Sequence, residues 1–150
     1  MKIYLDNCSL QRPLDSKSQI RILLESEAVL FIIELCEKNL VELISSQVLL
    51  FEINQSVNLA RKEFALEVLQ YSTTVVTLDE EIKNRAKEIA AAGIMALDAL
   101  HLAAAEIGGA NYFCTCDDKL LKKAKALVKP TLTVVSPLQL LEELENDNGS

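Results

Sequence analysis

The apolar positions of the chain fall into two alternating patterns. Short runs rich in β-branched and other apolar residues, which are typical of buried strands, predict strands at residues 2–5, 41–44, 75–78, 112–116 and 131–135. Between them, apolar residues recur every three or four positions, the spacing of a helix with a buried face. This spacing predicts helices at residues 19–37, 48–57, 61–71, 82–90, 96–107, 118–127 and 137–144. The first connection, at residues 11–17, is predicted to be a loop.

Strands that alternate with helices are joined by parallel crossovers, which predicts an α/β fold. A parallel sheet is covered by helices on both faces, and an apolar content of 50% agrees with this arrangement. We expect one domain over residues 1–145, followed by a polar, disordered tail at residues 146–150. Ligands of such folds bind beyond the carboxyl ends of the strands, so functional residues are expected there.

The charge balance limits the possible functions. The chain has 15 Lys and Arg against 22 Asp and Glu, a net charge of −7, so activity on nucleic acids needs local basic patches or bound cations. An aromatic content of 5% argues against a stacking platform for single strands. Cys8, Cys36, Cys114 and Cys116 are expected to be reduced, buried thiols of a cytoplasmic protein, because no secretory leader or membrane span is predicted.

Four acidic residues occur where the pattern predicts a strand end or a buried helix. Asp6 directly follows the first predicted strand, and Asp117 directly follows the fourth. Glu52 interrupts the apolar run VLLFEI, and Asp98 is the only charged residue between residues 96 and 105. A carboxylate on an apolar helix face is destabilising unless it is paired, caps a helix or binds a cation.

Each acid also has a simpler interpretation. Asp6 could form an Asx turn, and Glu52 could lie on a solvated stripe. Asp98 and Asp117 could each cap a helix. One explanation that covers all four acids is a divalent metal site, because crowded carboxylates stay ionised only around a cation. Mg²⁺ and Mn²⁺ prefer oxygen ligands, activate water and neutralise charge on a phosphodiester.

Four segments of the chain resemble the motifs of PIN-domain nucleases, especially VapC-like toxins of prokaryotic toxin–antitoxin pairs. They are IYLDNC at residues 3–8, the run around Glu52, LDALHLA at residues 97–103 and FCTCD at residues 113–117. Because Asp118 directly follows Asp117, the last motif offers two acids; Asp117 is our choice, since it matches Thr-x-Asp at the end of the strand.

The resemblance implies a three-layer α/β/α fold and an endoribonuclease that depends on Mg²⁺ or Mn²⁺. It implies that the metal ligands and activators of the attacking water are Asp6, Glu52, Asp98 and Asp117. Thr115 and Asn7 would steady these acids without binding the metal. The partners implied are an RNA substrate, a cognate antitoxin and a second copy of the chain. The predicted helix at residues 19–37 is apolar nearly all round, so part of it is expected to face a subunit or an antitoxin.

Three basic residues and one histidine lie near these motifs in the sequence. Arg12, Arg21 and Lys119 are candidates for holding RNA phosphates, which Arg binds in a bidentate manner. His101 lies about one helical turn after Asp98 and could contact its carboxylate or the substrate. We expect His101 instead to be a half-buried helical residue outside the site.

Two alternative functions remain at this point. A phospho-acceptor receiver domain also uses strand-end aspartates and Mg²⁺. It needs an acidic pair after the first strand and a lysine after the last, where this chain has Asn7-Cys8 and Ser136-Pro137. The other alternative is a catalytically silent PIN module that only binds partners, against which the four intact acids argue.

Overall fold

Five parallel strands form the central sheet. They are β1 (Lys2–Leu5), β2 (Glu42–Ser46), β3 (Ser72–Val76), β4 (Tyr112–Cys114) and β5 (Thr133–Val135). Their order is β3-β2-β1-β4-β5, and every neighbouring pair is parallel. Because β1 and β4 are parallel neighbours, their carboxyl ends lie side by side. The structure is a computed structural model that describes residues 1–149.

Helices fill the connections between these strands. They are α1 (Asn7–Gln11), α2 (Ile20–Glu37), α3 (Gln47–Asn54), α4 (Leu59–Leu69), α5 (Glu80–Ala91), α6 (Ala96–Ile107), α7 (Asp118–Ala124) and α8 (Pro137–Gly149). A short 3₁₀-helix, Arg12–Leu14, follows α1. α2 packs against α8, and α5 packs against α6. The arrangement is the three-layer α/β/α fold expected from the sequence.

Side-chain caps determine where several helices begin. The Ser46 hydroxyl accepts a hydrogen bond from the Leu49 amide at the start of α3, and Asp79 accepts one from the Ile82 amide at the start of α5. Each cap of this kind stabilises a helix by about 1 kcal/mol. Ser and Asp are favoured at this position because their short side chains reach the free amides of the first turn.

The core lies on both faces of the central strands. Ile3, Tyr4 and Leu5 are successive residues of β1, and all three are fully buried. Tyr4 is in register with Ile44 of β2 and Phe113 of β4, which are buried as well. Because helices cover both faces of the sheet, β1 shows a continuous apolar run instead of an alternation. Full burial of one such side chain contributes about 1.5–3 kcal/mol.

Some predicted boundaries were wrong. The predicted loop at residues 11–17 begins within helical structure, because Asp6 caps α1 immediately after β1 and Pro13 fits the first turn of the 3₁₀-helix. The third strand begins at Ser72 instead of residue 75, because its polar start pairs with β2. The fourth strand ends at Cys114, two residues earlier than predicted, and the chain then turns into α7.

The C-terminal helix is longer than the sequence predicts. Helix α8 continues to Gly149, through residues for which a disordered tail is predicted, and Ser150 lies outside the described residues. The domain boundary at residue 145 stays a prediction.

None of the helices in residues 1–149 combines the length and the apolar character needed to cross a membrane.

Candidate active site

A small cavity lies at the carboxyl edge of the sheet. Its volume is about 140 Å³. Its lining residues are Asp6, Asn7, Cys8, Glu52, Asp98, His101, Asp117 and Leu120. The structure therefore brings the four acids singled out in the sequence to one cavity, although they come from four separate segments of the chain. We call it the acidic cavity.

Asp6 is placed by the end of β1 and the start of α1. Its Oδ1 accepts hydrogen bonds from the Ser9 amide at 3.0 Å and from the Cys8 thiol at 3.1 Å. The carboxyl is nearly buried, and burial raises its pKa, although hydrogen bonds from Thr115, Cys8 and Ser9 act in the opposite direction. The amide bound by Asp6 lies three residues on, so Asp6 caps α1 and does not form the Asx turn; its side chain also lines the acidic cavity.

Asp117 has the same two functions after β4. Its Oδ1 accepts hydrogen bonds from the amides of Lys119 at 2.9 Å and Leu120 at 3.2 Å, which caps α7. Its own amide donates to the Thr115 hydroxyl at 3.1 Å. Asp118 instead forms an ion pair with Arg21 and is absent from the lining of the acidic cavity.

Glu52 and Asp98 reach the cavity from two helices. Glu52 lies on α3, and its Oε1 lies 2.8 Å from Nε2 of His101. Asp98 lies in the first turn of α6, whose cap position is Met95, so Asp98 is not the capping residue. Burial raises the pKa of Asp98, and the charges of Asp6, Asp117 and Glu52 raise it further, while His101 lowers it. Crowding of the carboxylates therefore favours the protonated form of Asp98.

His101 belongs to the site, so the prediction of a half-buried residue outside it was wrong. The side chain is 2% exposed, lines the acidic cavity and contacts Glu52. Its Nδ1 lies 2.7 Å from the hydroxyl of Tyr4, which in turn lies 2.7 Å from the Ser46 hydroxyl. Burial raises the pKa of Tyr4, so its phenol stays protonated. The available sequence signal was a single polar ring three residues after Asp98 on an otherwise apolar helix.

The cysteines were predicted as buried, and Cys8 differs. Cys36, Cys114 and Cys116 are buried as expected, whereas Cys8 is exposed and lines the acidic cavity. Its thiol donates to Asp6 and accepts from the Cys116 amide at 3.4 Å. The expectation failed because α1, which was not predicted, carries Cys8 to the cavity.

The two residues expected to steady the acids take different positions. Asn7 lines the acidic cavity, and its Oδ1 accepts a hydrogen bond from Gln11 at 3.4 Å. Thr115 is buried behind the cavity, where its hydroxyl lies 3.5 Å from the Cys8 thiol. Thr115 thus contacts groups that belong to both Asp6 and Asp117, in agreement with a supporting role.

The structure places none of the three candidate phosphate-binding residues on the wall of the acidic cavity. Arg12 is paired with Asp15 at 3.0 Å and with the buried Glu25 at 3.2 Å. Arg21 forms a bidentate ion pair with Asp118. Lys119 is exposed at the start of α7. Lys119 lies two residues after Asp117, and its contact with RNA stays a prediction.

The donor set of the acidic cavity suits a hard divalent cation. Four carboxylates line it, and its described lining includes no Lys or Arg to balance their charge. Carboxylate oxygens are the preferred ligands of Mg²⁺ and Mn²⁺. Within residues 1–149, no three His, Cys, Asp or Glu side chains are close enough together to form a ready-made metal site. The chemistry of the donors fits a metal, whereas the ligands are not drawn together in this structure.

Comparison with known proteins agrees with this fold. The model of the PIN domain family matches residues 14–126. The chain therefore belongs to the PIN domain family, which removes the receiver-domain alternative. The match includes Glu52, Asp98 and Asp117, and Asp6 lies before it.

Two solved structures are similar to the chain over nearly its whole length. The crystal structure of VapBC2 from Rickettsia felis, bound to a DNA fragment from its promoter, matches with a TM-score of 0.57 and 15% identity, covering 91% of this chain and 98% of that one. PAE2754 from Pyrobaculum aerophilum matches with a TM-score of 0.59 and 15% identity, covering 97% and 96%. At this identity the similarity establishes the fold alone. A search of curated proteins finds no match.

Proposed function

We propose that the protein is a metal-dependent endoribonuclease that hydrolyses phosphodiester bonds of RNA and is the toxin of a type II toxin–antitoxin pair. The observation that carries the proposal is the convergence of four carboxylates on one cavity without a balancing Lys or Arg in its described lining. Membership of the PIN domain family and the fold shared with the VapBC2 structure support it. RNA, a cognate antitoxin and a second copy of the chain are the proposed partners, in the cytoplasm.

The proposed chemistry assigns one task to each part of the acidic cavity. Bound Mg²⁺ or Mn²⁺ would supply an activated water and neutralise charge on the phosphodiester. The residues that would hold it and orient the water are Asp6, Glu52, Asp98 and Asp117. Asp6 and Asp117 each use Oδ1 to cap a helix, which fixes the direction of the carboxylate. Rigid elements therefore hold these two groups before any ligand binds.

The net charge of the protein determines how RNA could approach. A chain of charge −7 repels RNA over much of its surface, so attraction has to be local. Two divalent cations in the acidic cavity would bring the formal charge to −3, since −7 + 4 = −3. Lys119 is our first candidate for a phosphate contact because it is exposed beside Asp117. Arg12 and Arg21 are retained as candidates, although binding RNA would require them to exchange their present ion pairs.

The surface of α2 supports the proposed protein partner. Its described residues include exposed large apolar side chains, namely Ile20, Leu23, Leu24, Leu30 and Phe31. An apolar surface of this kind is typical of a protein–protein interface. We propose that an antitoxin segment or a second copy of the chain covers it, in accordance with the two-protein VapBC2 complex.

Purified protein tests the proposal directly. We expect cleavage of RNA in Mg²⁺ or Mn²⁺ and none in EDTA. Asp6→Asn and Asp98→Asn should abolish cleavage while circular dichroism shows an intact fold. Glu34→Gln is the matched control, because Glu34 is an exposed carboxylate paired with Lys38 and remote in sequence from every cavity residue. Equal cleavage by wild type and both Asn variants would refute the site. RNA binding without cleavage would instead support the silent PIN module.

A further inference from the structure

A line of buried hydrogen bonds connects the sheet to the acidic cavity. The Ser46 hydroxyl lies 2.7 Å from the Tyr4 hydroxyl, and Tyr4 lies 2.7 Å from Nδ1 of His101. The opposite nitrogen of the ring, Nε2, lies 2.8 Å from Oε1 of Glu52. Ser46, Tyr4 and His101 are buried, so each polar atom of the line depends on its neighbours for hydrogen bonding.

The chemistry of each group determines which atom donates and which accepts in these hydrogen bonds. The ionised carboxylate of Glu52 can only accept, so Nε2 of His101 carries a proton and donates it. In a neutral ring Nδ1 is then an acceptor, and Tyr4 donates to it. The Tyr4 oxygen in turn accepts from the Ser46 hydroxyl, whose oxygen accepts from the Leu49 amide at 3.0 Å. With this assignment every donor in the line has an acceptor.

We propose that Tyr4 and His101 are positioning residues that hold the Glu52 carboxylate at the acidic cavity, with Nε2–H of His101 as the donor to Glu52. The inference rests on the proposed function only in so far as Glu52 is taken as a metal ligand. A glutamate side chain has several rotatable bonds, and Glu52 is 27% exposed. The imidazole binds one carboxylate oxygen and leaves the other for a cation.

Tyr4, which holds His101, is itself fixed by packing in the sheet. The Tyr4 ring stacks on Phe113 with a centroid separation of 5.4 Å and an interplanar angle of 11°. Both rings are fully buried in neighbouring strands. The carboxylate on α3 is thereby linked through His101 of α6 to the centre of the sheet. Groups that orient metal ligands in this way typically change metal affinity by about 10- to 100-fold when they are removed.

The first test is the tautomer of His101 in the metal-free protein. His101 is the only histidine, so a long-range ¹H–¹⁵N spectrum of protein labelled at histidine shows one imidazole. We expect Nε2 to carry a proton. Tyr4→Phe, which keeps the ring packed on Phe113, should shift the Nδ1 resonance because its hydrogen-bond partner is lost. An Nε2 without a proton in the wild type would overturn the assignment.

The second test uses two amide substitutions of His101. Gln places its amide near the position of Nε2 and can still donate to Glu52, whereas Asn places it near Nδ1 and can contact only Tyr4. We expect His101→Gln to keep Mn²⁺ affinity within about threefold of wild type and His101→Asn to weaken it about tenfold or more. Calorimetry measures the affinity, and circular dichroism verifies folding.

The possible outcomes separate the inference from the proposed function. Equal Mn²⁺ affinity of the Gln and Asn variants would show that His101 only fills space, which overturns the positioning role and leaves the nuclease proposal intact. Absence of Mn²⁺ binding by the wild type would overturn the positioning role together with the proposed metal dependence. RNA cleavage is needed for neither measurement, so a failure of the nuclease proposal at the level of substrate is seen separately.

Discussion

Asp117 and Asp118 are adjacent in sequence, but their carboxylates serve different parts of the molecule. Asp117 caps α7 through the Lys119 and Leu120 amides and lines the acidic cavity. Asp118 holds Arg21 of α2 through two hydrogen bonds, Nη1 to Oδ2 at 2.7 Å and Nη2 to Oδ1 at 2.8 Å. Asp117 lines the acidic cavity, whereas Asp118 connects α7 to α2 through Arg21.

The first prediction compares Asn substitutions at these two positions. Asp117→Asn should abolish RNA cleavage and weaken Mn²⁺ binding, because an amide is a poor ligand for a hard cation in place of a carboxylate. It should remain folded, because Asn caps helices about as well as Asp. Asp118→Asn should cleave like wild type. Cleavage rates and Mn²⁺ affinities of the two variants measure the difference, and loss of cleavage in Asp118→Asn alone would reverse the assignment.

The second prediction concerns a buried ion pair away from the cavity. Arg85 donates to both oxygens of Glu106, at 2.6 and 3.0 Å, and the Glu106 side chain is 1% exposed. The Lys129 amide also donates to this carboxylate at 2.8 Å. Glu106→Ala leaves Arg85 without its buried partner, so we expect the free energy of unfolding to fall by about 3–5 kcal/mol. Urea denaturation followed by circular dichroism measures this change.

A second partner of Arg85 provides the control. Glu88 contacts the same guanidinium at 3.0 Å, but its side chain is 68% exposed. Solvent screens this pair, so Glu88→Ala should cost less than about 1 kcal/mol. Similar losses for the two variants would show that burial does not decide the strength of the Arg85 pairs.

The third prediction concerns the reactivity of the four thiols. Cys8 is exposed at the acidic cavity, and the other three cysteines are buried. A hydrogen bond with Cys116 and the charge of Asp6 raise the pKa of Cys8, so we expect slow modification by a maleimide at neutral pH. The native protein should gain one label per chain, detected by mass spectrometry, and Cys8→Ser should gain none. More than one label on the native wild type would contradict the structure.

The sequence was sufficient to predict the sheet and the positions of the four acids. Five apolar runs separated by helices fix a parallel sheet, and parallel strands place Asp6 and Asp117 at one edge. Glu52 and Asp98 were recognisable because a charge on an apolar helix face requires compensation. These inferences depend on local pattern and on one general rule of α/β folds.

The supporting contacts could not be predicted in this way. Tyr4 and His101 are separated by 97 residues, and Tyr4 and Ser46 by 42. Nothing local distinguishes Tyr4 from the other apolar residues of β1, and only packing of α6 against the sheet brings the imidazole to its hydroxyl. The pairing of Arg21 with Asp118 could not be predicted for a similar reason, because it is also a contact between distant segments.

The fourth prediction follows from the raised pKa of Asp98. Burial and the neighbouring charges of Asp6, Asp117 and Glu52 raise this pKa above its ordinary value of 3.8. Between the ordinary and the raised value, the folded metal-free protein binds more protons than the unfolded chain. Its free energy of unfolding therefore falls as the pH rises through that interval, and ionised Asp98 destabilises the fold at neutral pH. Asp98→Asn should thus raise the stability of the metal-free protein at pH 7 and weaken its dependence on acid pH.

Two comparisons make this prediction specific. Arg21 lowers the pKa of Asp118, so the ionised form of that carboxylate stabilises the fold and Asp118→Asn should lower stability at pH 7, opposite in sign to Asp98→Asn. Mn²⁺ at about 100 times its dissociation constant should stabilise the wild type by about 2.7 kcal/mol, and Asp98→Asn by much less. Urea unfolding in EDTA and in Mn²⁺ measures the free energy of unfolding of each protein without and with the metal. A metal-free Asp98→Asn variant that is less stable than wild type at pH 7 would show that the Asp98 carboxylate is already compensated without a cation.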